Sequence, residues 1–160
     1  MDDSSYTLLY GHTLLHLVMT DIPATLMMIL QLTASIALVL PVAWNREREG
    51  PSMGLRTFSL VSLGSCAYVL IGLSLVSTDE HEYLVRIMQG LMSGIGFVGG
   101  GAILKDSDHV RGTASAASIW VTGALGAAVG FQLWSLAIAL SVANFLVIWI
   151  MGPVKQNLKD

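Results

Sequence analysis

The stretch "SGIGFVGGGAILK", residues 93–105, holds five glycines: Gly94, Gly96, Gly99, Gly100 and Gly101. Gly94-x-Gly96-x-x-Gly99 has the spacing of a dinucleotide-binding loop, where glycines let the backbone close on a pyrophosphate. That chemistry requires a strand before the loop and a helix after it, inside a βαβ unit. Here the motif sits in an uncharged run in a chain without a βαβ pattern, and "AIL" separates Gly101 from Lys105, so no Walker lysine follows. His12 and His16 are four apart, a metal-ligand spacing on one helix face. No cysteine or second histidine pair is near them in sequence, so they read as polar positions on a surface helix. A third set gathers arginines and hydroxyls. Asn45, Arg46, Glu47, Arg48, Arg56 and Thr57 lie in one polar segment, and Arg111, Thr113, Ser115 and Ser118 in another. Guanidinium forks and the free amides at a helix start suit an anion or a carboxylate. The same basic residues would equally anchor lipid headgroups.

The elements that carry these residues follow from composition. Of the 160 residues 54% are hydrophobic and only 12% charged, with a net charge of −3. The mean hydropathy is +0.68. A soluble domain carries about 25% charged residues, so half that charge points to a membrane protein. The one cysteine, Cys66, excludes an intramolecular disulfide and a thiol-rich metal site. The acidic start "MDDSSY" lacks the basic residues of a cleaved signal peptide.

Uncharged runs occupy residues 24–44, 57–78, 87–104 and 112–154. A crossing needs about 20 residues. The last run, as one helix, would extend roughly 65 Å against a core of roughly 30 Å, so it must fold back. The turn is expected at "GFQLW", residues 130–134. The expected fold is therefore all-α: a polytopic transmembrane bundle of five crossings over residues 24–154. A short interfacial helix falls within residues 1–23, and residues 155–160 form a cytoplasmic tail. Five crossings put seven of the eight Lys and Arg on one side, with Arg86 alone on the other. The positive-inside rule then places the N-terminus outside and the C-terminus in the cytoplasm.

Within a membrane the glycines have a second reading. Gly90-x-x-x-Gly94 and Gly96-x-x-x-Gly100 are small-xxx-small pairs, which let helix backbones touch. Gly112, Gly123, Gly126 and Gly130 offer matching small positions in the next crossing. Gly99–Gly101 points all round a helix, and suggests either packing alone or a loosened helix of the kind that forms substrate or ion sites. The interior polar residues Gln31, Ser62, Ser65, Gln89, Ser93, Thr122 and Asn144 are neutral, which lowers the odds of a proton-coupled carrier. No Ser-His-Asp set, HExxH or intramembrane carboxylate pair is present. A non-enzyme without cofactor, metal or nucleic-acid partner is expected. Spare small-residue faces suggest a homodimer within the lipid bilayer.

Four blocks together resemble the MgtC/SapB family of bacterial inner-membrane proteins. They are "REREG" (46–50), "GLRT" with "LVSLG" (54–57 and 60–64), "SGIGFVGGGAILK" (93–105) and "VRGTASAASIWVTGALGAAVG" (110–130). The resemblance implies a polytopic inner-membrane protein linked to growth at low magnesium and, in pathogens, to survival inside host cells. Where the family has Gly-Leu-Glu before the first "RE", this chain has Ala43, Trp44 and Asn45. Where the family has Leu-Thr-Thr after "VRG", it has Thr113, Ala114 and Ser115. Longer members add a cytoplasmic C-terminal domain, and this chain runs only six residues past its last apolar run. Two functions follow as expectations. One is a non-enzymatic regulator that binds another inner-membrane protein. The other is a transporter or ion-permeable protein using a break at Gly99–Gly101.

Overall fold

A computed structural model describes residues 22–48, 53–75, 81–106 and 109–157. The expected interfacial helix, with His12 and His16, lies outside these residues. These residues form five helices: α1 (Ile22–Arg48), α2 (Leu55–Leu75), α3 (His81–Gly101), α4 (Thr113–Gly130) and α5 (Trp134–Asn157). Strands β1 (Leu104–Asp106) and β2 (His109–Arg111) pair antiparallel between α3 and α4, Leu104 opposite Arg111 and Asp106 opposite His109. This ribbon was not foreseen, and it shortens the third expected run: α3 stops at Gly101. Among the described residues four helices are long and apolar enough to cross a membrane, namely α1, α2, α4 and α5. With 21 residues, α3 is as long as α2. Its glycines, Gln89 and Arg86 make it the less apolar of the two.

Contacts divide the chain after Leu30. The described part of the first unit, residues 22–30, is an exposed apolar turn-by-turn helix with Pro23 in its opening turn, where a missing amide costs nothing. The second unit, residues 31–160, holds the bundle.

Within that bundle α4 is central. Eleven of its eighteen residues are buried, and it packs against α2, α3 and α5. A helix that is apolar all round belongs in such a position. Small residues allow it. A side chain at Gly126 would overlap the backbone of Ser62, and one at Gly130 would press on Val69 and the carbonyl of Cys66. Gly123 sits under Ile95 of α3, and Gly99 of α3 lies on the Ala116 carbonyl. Two apolar clusters mark the two ends of the bundle. Val42, Phe58, Ile95, Ala102, Ile119 and Ile148 gather at one, so the end of α1 meets the start of α2, the end of α3 and the start of α4. Cys66, Leu125, Val129 and Ala137 gather at the other.

The turn between α4 and α5 falls at residues 131–133, where it was expected. Leu133 N donates to Ala128 O at 2.8 Å and Gln132 N to Val129 O at 2.9 Å. These are the two bonds of a Schellman end, with Gln132 at φ 61° in the left-handed position where glycine is usual. Gly112 precedes α4 at φ 86°, where a side chain would overlap the Ala102 carbonyl. It is therefore a turn residue rather than part of a helix-packing face.

The glycines of α3 behave differently from the expectation. The helix continues unbroken through Gly99, Gly100 and Gly101, and closes with Ala102 N on Gly99 O at 3.0 Å and Ile103 N on Gly100 O at 3.1 Å. The triplet is the last turn of a helix and not a break within it. Side chains added at Gly90, Gly94, Gly96, Gly100 or Gly101 would meet nothing within 4 Å. Of the α3 glycines, only Gly99 packs closely against the described residues. Gly126→Leu should therefore cost about 1–3 kcal/mol or more by overpacking against backbone, while Gly94→Leu stays within about 0.5 kcal/mol of the parent. Thermal unfolding of both variants in detergent checks this, and equal losses would contradict the assignment.

Candidate functional site

The two polar segments lie at one end of the bundle, where the end of α1 meets the starts of α2 and α4. α1 ends in Asn45, Arg46, Glu47 and Arg48, and α2 begins at Leu55, Arg56 and Thr57. Glu47 Oε2 accepts the Leu55 amide at 2.9 Å. The carboxylate so caps the first turn of α2, whose opening amides have no partner within the helix. Gly54 makes room for it, because any side chain there would overlap the Glu47 carboxylate. Glu47 is thus a link from α1 to the start of α2. Its observed partner is backbone, and Arg56 beside it is exposed. Arg46 is 7% exposed, a charged side chain drawn into the bundle end. Arg48 lies over the Trp44 ring, 5.2 Å from its centre, a cation–π contact on the exposed face of α1. The Asn45 side-chain oxygen is buried and has no hydrogen-bond partner among the described residues.

The second segment splits in two. Arg111 closes β2 and Thr113 opens α4 with its side chain exposed. Ser115 and Ser118 are buried, each 3% exposed, and so belong to the interior rather than to an open rim. Ser118 Oγ donates to Asn144 Oδ1 at 2.7 Å, and Asn144 Nδ2 reaches back to Ser118 O at 3.4 Å. This buried pair ties α4 to α5.

Other interior polar residues form bridges that composition alone had left without a role. Gln31 Nε2 donates to Val129 O and Gly130 O, both at 3.0 Å. These are carbonyls at the end of α4 that no helix amide can reach. Ser62 Oγ donates to Ser35 O at 2.7 Å, joining α2 to α1. Ser141 Oγ donates to Leu38 O at 2.5 Å, in the turn of α1 that Pro41 disturbs by bringing no amide. The neutrality of these residues was visible in the sequence, but their partners lie 26 to 103 positions away. Thr122 Oγ1 is fully buried and has no hydrogen-bond partner among the described residues.

The rim geometry separates a cap from an ion pair. Glu47→Ala should cost about 0.5–2 kcal/mol as a lost helix cap, and Glu47→Gln, which keeps an acceptor oxygen, less. A double-mutant cycle of Glu47→Ala with Arg56→Ala should give a coupling near zero. A coupling of about 1 kcal/mol or more would show that the two side chains act together.

Known proteins place this arrangement. The model of the MgtC family matches residues 32–157. Protein SrpB of Synechococcus elongatus is 36% identical over 72% of this chain and 68% of its own length. The Escherichia coli K12 protein named "Putative magnesium transporter YhiD" is 32% identical over 74% of this chain and 58% of its own. Protein MgtC of Brucella abortus is 35% identical over 74% of this chain and 48% of its own. The aligned part thus spans about half to two-thirds of these relatives. No solved structure matches the chain. A family match over most of the sequence, carried by a bundle of apolar helices, makes this multi-pass membrane protein a member of the MgtC family.

Proposed function

We propose that the chain is a regulator in the bacterial inner membrane, working without catalysis, that binds another membrane protein and adjusts ion or energy balance when magnesium is scarce. The observation that carries this reading is the use made of the interior polar groups. Gln31, Ser62, Ser118, Ser141 and Asn144 all end on neighbouring helices, mostly on backbone carbonyls. Groups so employed hold helices together. They leave a scaffold with exposed side chains at its polar end, including Arg48, Arg56 and Thr113. The name of the Escherichia coli relative supports the link to magnesium.

Transport is the second reading, favoured by the name of the Escherichia coli relative. The site first suggested for it, a loosened helix at Gly99–Gly101, is a regular helix end. Ion flux into liposomes holding the pure protein tests the two readings. The regulator reading expects flux at the level of empty liposomes, together with restored growth of a deletion strain in magnesium-poor medium. Magnesium flux proportional to protein would replace it with transport.

The proposed topology has five crossings, N-terminus outside and C-terminus cytoplasmic. The course of α3 supports the fifth: Leu84 and Ile87 lie against Gly72 near the end of α2, and Gly99 lies against Ala116 near the start of α4. The helix so runs the height of its neighbours. Reporter fusions after His81 and after Asp160 should report opposite sides, and a shared side would remove α3 as a crossing.

A further inference from the structure

Between α2 and α3 the bundle leaves a groove of about 730 Å³. Leu60, Gly64 and Tyr68 line it from α2, and Gly90, Gly94 and Val98 from α3. Side chains added at Gly64, Gly90 or Gly94 would meet nothing within 4 Å. These glycines therefore do not bring the two helices together; they keep a trough open between them. Its lining is hydrocarbon apart from the hydroxyls of Thr57, Ser65 and Tyr68. That of Ser65 is already spent on Val61 O at 2.8 Å.

Among the described residues, the two mouths of the groove differ in how their arginines are partnered. At the Thr57 mouth stands Arg56, exposed and four residues before Leu60, on the same side of α2. The nearby carboxylate, Glu47, is engaged with the Leu55 amide. At the far mouth, among the described residues, Arg86 is matched by Glu82 at 2.7 Å. From Thr57 to Tyr68 the helix rises about 16 Å, roughly half the hydrocarbon thickness of a bilayer. The trough thus has the length of one leaflet, with a cation at the mouth where α2 begins.

We propose that this groove seats an acyl chain of an anionic phospholipid, whose phosphate is held at Arg56. A second copy of the protein is the competing occupant. A helix is about 10–12 Å across with its side chains, and Leu60 and Tyr68, 65% and 60% exposed, stand on the α2 wall between such a helix and the glycines. A single hydrocarbon chain is thin and flexible enough to lie between them.

Native mass spectrometry of the detergent-purified protein, with phosphatidylglycerol or phosphatidylcholine of matched chains added, tests the proposal. One retained lipid is expected, with phosphatidylglycerol preferred by about fivefold for one arginine at the headgroup level. Arg56→Glu should abolish the preference. Gly90→Leu with Gly94→Leu should weaken retention by about tenfold or more by filling the trough. Gly90→Ala with Gly94→Ala should weaken it less. Gly96→Leu, equally open but outside the groove, should behave as the parent. Unfolding temperatures of the variants should match the parent, since no neighbour is displaced. Parental retention and preference in the double-leucine variant would overturn the proposal. So would a parental dimer that the double-leucine variant converts to monomer with lipid retention unchanged, which would assign the groove to a second copy. Displacement of phosphatidylglycerol by millimolar inorganic phosphate would leave an anion site at the rim and no role for the groove.

Discussion

The backbone contact of α4 with α2 sets the rest of the bundle. In lipid the tails around a helix are as apolar as its neighbours, so helices gain little by hiding hydrophobic surface and must gain by close approach. Gly126 and Gly130, four apart, put one face of α4 directly on Ser62, Cys66 and Val69 of α2. Any side chain on that face would force the two axes apart and withdraw α4 from α3 and α5. The same approach buries the end of α4, so its last carbonyls are cut off from water and require donors. Gln31 and the turn at Gln132 supply them. The helix start is governed in the same way by Gly112, whose left-handed backbone turns the chain out of the β2 strand against the Ala102 carbonyl.

Polar residues inside the bundle follow from this closeness. A serine or asparagine facing hydrocarbon loses its water partners and finds replacements on an adjacent helix. When axes are close, the nearest acceptors are backbone carbonyls, which explains why Ser62, Ser141 and Gln31 all end on them. Ser118 and Asn144 make a mutual pair instead. Each bridge is modest in strength, about 0.6 kcal/mol on average for polar contacts between membrane helices. Together they fix which faces meet, a choice that apolar packing alone leaves loosely determined.

Much of this was legible along the chain. Uncharged runs located the helices, and the length of the last run required the turn that appears at residues 131–133. The convergence of the polar segments at one bundle end followed from the alternation of crossings. What escaped was the choice of helix face. Gly90 and Gly94 have the same spacing as Gly126 and Gly130, yet the first pair meets nothing and the second meets backbone. Spacing reports that a face is small; whether a neighbour occupies it depends on contacts far away in sequence. The ribbon at Leu104–Arg111 escaped for a related reason, since three-residue strands carry too short a pattern to read. The partner of Glu47 was not legible, because arginines crowd that segment and nothing in their spacing announces a backbone amide. The geometry of Gly54 and the start of α2 brings a backbone amide to it first.

The two glycine faces divide the labour of one residue type. On α4 glycine is consumed by internal contact, so its substitution acts on the fold. On α3 the glycines at 90, 94 and 96 bear no internal load, and α3 is held by other residues: Ile87 against Gly72, Ile95 against Gly123, and Gly99 against Ala116. These three contacts, one to α2 and two to α4, run from its first turns to its last. They fix the position of α3 while Gly90, Gly94 and Gly96 stay open to what lies outside the chain. A helix held at these points and open at its glycines can change what it touches without changing where it stands. Selection on function can therefore act on the α3 glycines separately from selection on stability, and substitutions there report on an external partner, whether lipid or protein, with little contribution from unfolding.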